Sequence, residues 1–119
     1  MTPIETTLTV ADAIRLGSLM RKQGYGDVYT ETSTCAFGAA LDAIGLNGSY
    51  HPGLLPVAWK ALFDRPATCP ECGHVAQGTC GIIVHLNDYH LWTRQEIADW
   101  VETVEARADQ AVEVSFVAA

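Results

Sequence analysis

Apolar residues recur at helical spacing along most of the chain. In "TLTVADAIRLGSLMRKQG", residues 7–24, Val10, Ala13, Ile14, Gly17 and Met20 share one face, which Leu16 and Leu19 broaden. That period predicts a helix. Thr9 followed by Asp12 resembles a capping box with Asp in place of Glu, and Gly24 stands where the helix is expected to stop. "TCAFGAALDAIG", residues 34–45, predicts a second helix. Its buried stripe is Phe37, Ala40, Leu41 and Ile44, its small residues Gly38, Ala39 and Ala40 admit a close neighbour, and Gly45 ends it. "LLPVAWKALF", 54–63, predicts a short third helix with Pro56 in its first turn. "TRQEIADWVETVEARAD", 93–109, predicts the firmest helix. Thr93 and Glu96 make a capping box, Ile97, Trp100, Val101 and Val104 form the stripe, and Asp99, Glu102, Glu105 and Asp109 make the outer side acidic.

Between these segments the pattern changes. "DVYTETST", 27–34, is β-branched and polar and reads as a strand or an extended link. "LNGSYHPG", 46–53, is a loop, and "AVEVSFVAA", 111–119, alternates weakly, as a terminal strand or a fraying end would. "GIIVHLNDYH", 81–90, turns from apolar to polar and suits a short helix carrying both of its histidines. The expectation is one compact, mainly α domain over residues 1–119, with a zinc-knuckle or finger-like segment at 69–90 and a short β element at most.

That embedded segment carries the candidate chemistry. Cys69, Cys72, His85 and His90 follow the spacing C-x2-C-x12-H-x4-H, within the range of Cys2His2 zinc sites. Two residues between the cysteines let a tight turn aim both sulfurs at one Zn2+, with Pro70 stiffening the turn and Gly73 supplying a positive φ. Four residues between the histidines require the helix to loosen near His90. Zinc binding in such peptides is worth roughly 10 kcal/mol or more. A typical domain has about 5–15 kcal/mol of total stability, so the metal would be structurally necessary.

Other ligand sets compete. Cys80 or His74 could replace a chosen ligand, and Cys69, Cys72, Cys80 and His85 would form a Cys3His site. Asp88 could accept the second N–H of a ligating histidine, or, with Asn87, it could cap the helix end or face water. The plain alternative is that the thiols are reduced and buried and the histidines cap helices. A catalytic zinc with an open position is disfavoured, because four good ligands would close it.

Cys35 offers different chemistry. It stands at a predicted helix start, where a thiol pKa falls, with His85 and Asn87 or Asp88 downstream. Cys35, His85 and Asp88 thus outline a papain-like hydrolase or transferase, although that assignment takes His85 from the metal. Its small apolar neighbours suit a packed thiol instead. His51 reads as a solvated loop histidine, and Trp59, Trp92 and Trp100 as core aromatics.

Charge limits the partners. Seven Lys and Arg face fourteen Asp and Glu, a formal net charge of −7, and no cation lies between Arg65 and Arg94. Binding to phosphate backbones needs clustered cations, so nucleic acid is not expected. Ala76 also stands where nucleic-acid-binding fingers carry an aromatic residue. Basic protein surfaces are the better partners. No apolar run is long enough for a membrane span and "MTPIETTLTVAD" has no export pattern, so the cytoplasm is the expected location.

"IIVHLNDYHLWTRQEIADWVE" resembles the C-terminal part of a group of small uncharacterised proteins of bacteria and their phages. That group carries the pattern H-L-N-D-x-H-x-W-[ST]-R-x-x-I-A-x-W. The matching residues are His85, Leu86, Asn87, Asp88, His90, Trp92, Thr93, Arg94, Ile97, Ala98 and Trp100, and "CAFGAALDAIG" and "CPECG" are also similar, about a third of the chain together. The resemblance implies a phage or prophage origin, host cytoplasm, and a host or particle protein as partner. If the paired cysteines and histidines belong to the shared pattern, they favour the Cys2His2 set over Cys80. The expectation is a small acidic zinc-stabilised protein-interaction module. Its contact surfaces would be the acidic side of the last helix and the loop with Tyr50 and His51.

Overall fold

A computed structural model describes the backbone at residues 2–46 and 51–118 and the side chains as far as residue 107. Five α-helices dominate it: α1 (Val10–Gly17), α2 (Ala36–Ala43), α3 (Val57–Phe63), α4 (Thr79–Asp88) and α5 (Arg94–Ala118). The strands are two residues each. β1 (Lys22–Gln23) pairs in parallel with β2 (Ser33–Thr34), and β3 (Ala67–Thr68) pairs antiparallel with β4 (Val75–Ala76). The mainly α expectation is met, with β2 falling inside the segment read as a strand or link.

α1 begins where its cap requires, with Thr9 Oγ1 accepting the Asp12 N–H at 3.1 Å. It ends at Gly17, seven residues before Gly24. Arg94 Nη2 donates to the Ser18 carbonyl at 3.3 Å and takes one of the acceptors a helix end leaves open. The chain then turns to bring Lys22 and Gln23 to Ser33 and Thr34. Leu19 and Met20 therefore do not join the core and are 84% and 53% exposed, while Leu16, within α1, lies on its outer side at 45%. Val10, Ala13, Ile14 and Gly17 are buried as the period requires.

α1 lies directly on α2. A β-carbon at Gly17 would come within 1.8 Å of the Ala39 carbonyl oxygen, so only glycine permits this approach. Phe37, Ala40 and Leu41 are buried, while Ile44 has become the C-cap residue of α2 and is half-buried. Pro56 is the residue before α3, and Pro52–Leu54 form a separate 3-10 turn, so the third helix is shorter than 54–63. Phe37, Phe63 and Trp59 form an edge-to-face series with centroids 5.3 and 6.3 Å apart. Trp59 Nε1 donates to the Leu8 carbonyl at 3.0 Å. One hydrophobic cluster draws on all five helices and includes Cys69.

The capping box of α5 forms reciprocally: Thr93 N–H donates to Glu96 Oε1 at 2.9 Å, and Glu96 N–H to Thr93 Oγ1 at 3.1 Å. Ile97 and Val101 are fully buried, with Trp100 and Val104 half-buried. The segment from 111 onward continues α5 to Ala118 and is not a strand.

The expected acidic outer side of α5 is largely occupied. Arg15 on α1 reaches Asp99 at 2.7 Å and Glu102 at 2.8 Å, and Glu105 binds the start of α1. Among the described residues, no helix is long and apolar enough to cross a membrane. Tyr50 and the side chain of Asp109 lie outside the described residues.

Candidate metal centre

β3 and β4 frame the cysteine pair. With Ala67 opposite Ala76 and Thr68 opposite Val75, the hairpin leaves Cys69 to Cys72 in its connecting turn. Cys69 N–H donates to the His74 carbonyl at 2.7 Å and Gly73 N–H to the Cys69 carbonyl at 3.0 Å, while Gly73 adopts φ +78°. These bonds turn both cysteines to one side, as the "CPECG" sequence requires.

α4 starts two residues earlier than expected and carries His85 in its last turn. His90 lies beyond the helix, which corrects the expectation that one helix holds both histidines. The loosening has a structural form. Tyr89 and His90 N–H both donate to the His85 carbonyl, at 2.9 and 3.3 Å, and Leu91 then adopts φ +57°. This terminal turn swings His90 back towards His85, and their ring centroids lie 4.8 Å apart.

The potential ligand atoms of Cys69, Cys72, His85 and His90 all lie within 4.8 Å of one another. Bonds of about 2.3 Å to sulfur and 2.0 Å to nitrogen give a tetrahedron with edges of roughly 3.3–3.8 Å. Cys72 Sγ and His85 Nε2 already stand 3.4 Å apart. The four residues lie close together and could bind a metal ion with shifts of about an ångström. Cys69 is buried in the core, Cys72 is exposed and both histidines are half-buried. Burial, and then the neighbouring His90 and His74, lower the His85 pKa. The neutral imidazole, the form that ligates a metal, is thereby favoured.

The competing ligands lie outside the four-residue set. The Cys80 thiol points at the Phe63 carbonyl 3.9 Å away, and burial pushes its pKa up. His74 is exposed; its ring lies 5.0 Å from that of His85, and it stands outside the four-residue set. Asp88 accepts from Asn87 Nδ2 at 2.7 Å, whereas the carboxylate beside His90 is Glu71, paired with its Nδ1. Glu71 Oε2 also accepts from Trp92 Nε1 at 3.3 Å. Nothing in the spacing singles out Glu71, which meets His90 only once the hairpin and α4 are packed.

Cys35 and His85 serve different neighbourhoods. Cys35 is the N-cap of α2, 1% exposed, and its Sγ accepts the Gly38 N–H at 3.4 Å. Burial, the largest influence, drives its thiol pKa up despite the helix start. No hydrogen bond joins it to His85 among the described residues. Asn87 is a buried cross-link. Its Oδ1 accepts from Gln23 Nε2 at 2.9 Å and Ala36 N–H at 3.1 Å, and its Nδ2 donates to the Gly24 carbonyl at 2.9 Å.

Comparison with protein-family models, with curated proteins and with solved structures found no match.

Proposed function

We propose that this chain is a zinc-organised module whose centre is structural and whose work is contact with another protein. The convergence of Cys69, Cys72, His85 and His90 from a turn, a helix and the residues after it carries the reading. Two thiolates and two neutral imidazoles, whose ligand atoms lie within 4.8 Å of one another, suit zinc. Four protein ligands close the coordination sphere, which is the structural and not the catalytic arrangement. A β-hairpin holding the cysteines, followed by a helix holding a histidine, supports a finger-like description of residues 67–90.

The contact surface is placed at the rim of this centre. Val75, Tyr89 and Leu91, each on a segment that carries or adjoins a ligand, are 64%, 74% and 63% exposed. The net charge of −7 favours partners with basic surfaces and disfavours nucleic acid. The resemblance of residues 85–100 to small phage and bacterial proteins suggests host and particle proteins as the partners to look for. The test is capture from bacterial host lysate by immobilised zinc-loaded chain, metal-stripped chain and a Tyr89→Ala, Leu91→Ala double variant. A partner held by the first and lost by the other two is the expected result; partners retained equally by all three would contradict the assignment.

A further inference from the structure

Glu71 lies between the two cysteines of the turn, yet its carboxylate serves groups from another part of the chain. Oε2 pairs with His90 Nδ1 and accepts the indole N–H of Trp92. Across the same imidazole, His90 Nε2 is buried and has no hydrogen-bond partner. We propose that Glu71 is a positioning residue for the metal centre, holding the His90 proton on Nδ1 so that the Nε2 lone pair faces the ion. The inference rests on the metal reading above.

The chemistry follows from the two tautomers of a neutral imidazole. Only the nitrogen without a proton can ligate, and a carboxylate against one nitrogen keeps the proton there. Once Nε2 donates to a cation, Nδ1–H becomes a stronger donor and its bond to Glu71 strengthens. The opposite tautomer would set a bare Nδ1 against the Glu71 carboxylate and leave a buried Nε2–H with no acceptor, which is costly. A bare Nε2 facing a cation carries no such cost.

Trp92 completes the arrangement. Its N–H donates to the Leu86 carbonyl at 3.0 Å and its carbonyl accepts from Gln23 Nε2 at 2.8 Å, so its backbone is fixed. Its indole then steadies the same carboxylate oxygen that meets His90. The relay Trp92 to Glu71 to His90 ties the centre to the turn between α4 and α5.

Zinc affinity, measured on the full chain by competition with a chromogenic chelator, tests this with Glu71→Ala, Glu71→Gln and the exposed charge control Glu31→Ala. Glu71→Ala is expected to bind about 10- to 100-fold more weakly. Glu71→Gln is expected to recover most of that loss, because its amide oxygen still accepts Nδ1–H, and Glu31→Ala to match the parent. Ring 15N shifts should show His90 in the zinc-loaded parent protonated at Nδ1 and liganded through Nε2. If Glu71→Ala fails to fold, the same shifts in Glu71→Gln decide: Nδ1–H retained supports the role, and ligation through Nδ1 overturns it. Affinity of Glu71→Ala within about twofold of the parent, or an equal loss in Glu31→Ala, would also overturn it. A parent chain that takes up no zinc would overturn the metal reading too; a parent that binds, with Glu71→Ala unchanged, would remove only Glu71.

Discussion

Glu105 on α5 accepts the backbone N–H of Val10 at 3.0 Å, and its second oxygen accepts that of Ala11 at 3.0 Å. A carboxylate from a distant helix thus satisfies two of the donors left open at the start of α1, where negative charge is also favoured. Glu105→Ala is expected to lower stability by about 1–2 kcal/mol, by analogy with losing a helix cap. A urea titration should show a lower midpoint with an unchanged slope; an unchanged midpoint would remove the cap from the account.

Gly17→Ala sets two effects against each other. Alanine gains about 1 kcal/mol of helix propensity. Its β-carbon would meet the Ala39 carbonyl oxygen at 1.8 Å, and overpacking between helices costs about 1–3 kcal/mol or more. The clash is the larger effect because the obstructing atom is backbone and α1 cannot yield alone. Thermal unfolding should show a lower midpoint, and a raised one would show that the two helices separate freely.

Asn87→Leu should be more damaging than its similar volume suggests. It strips partners from the buried Ala36 N–H, which costs about 1–3 kcal/mol when left unpaired, and from the part-buried Gly24 carbonyl. Hydrogen exchange at the Ala36 amide is expected to accelerate well beyond that of other α2 amides. Uniform protection would contradict the cross-link.

What the sequence disclosed was local, and what it concealed was long-range. Thr9 and Thr93 cap their helices as their neighbours three positions on imply, because a cap is decided within one turn. The four proposed ligands come close together because their intervals encode a turn and a helix end. Leu19 and Met20 continue the period of α1 but lie past its end, which Arg94, more than seventy residues away, helps to fix. Glu105 reads as a solvated acid on a helix stripe, and only packing against α1 turns it inward. Glu71 and Gln23 gain their roles in the same way, across distances that periodicity does not see.

The pKa of the Cys35 thiol is raised by burial, and that of Cys80 likewise. The stability these neutral thiols contribute is present below the unfolded value, about 8.5. It is lost as pH rises from there towards the folded value, so the thermal midpoint should fall on the alkaline side. Cys35→Ser replaces the capping sulfur with an oxygen that does not titrate in this range, and should reduce that fall. Iodoacetamide should label Cys35 slowly at neutral pH while the chain is folded. Rapid labelling there would revive the Cys35–His85 hydrolase or transferase.

Native mass spectrometry of the chain equilibrated with micromolar free zinc tests the central claim most directly. One zinc per chain is expected, retained on buffer exchange and lost when Cys69 and His85 are both replaced by Ala. A chain that stays metal-free, or that holds the same zinc without those two residues, would contradict it.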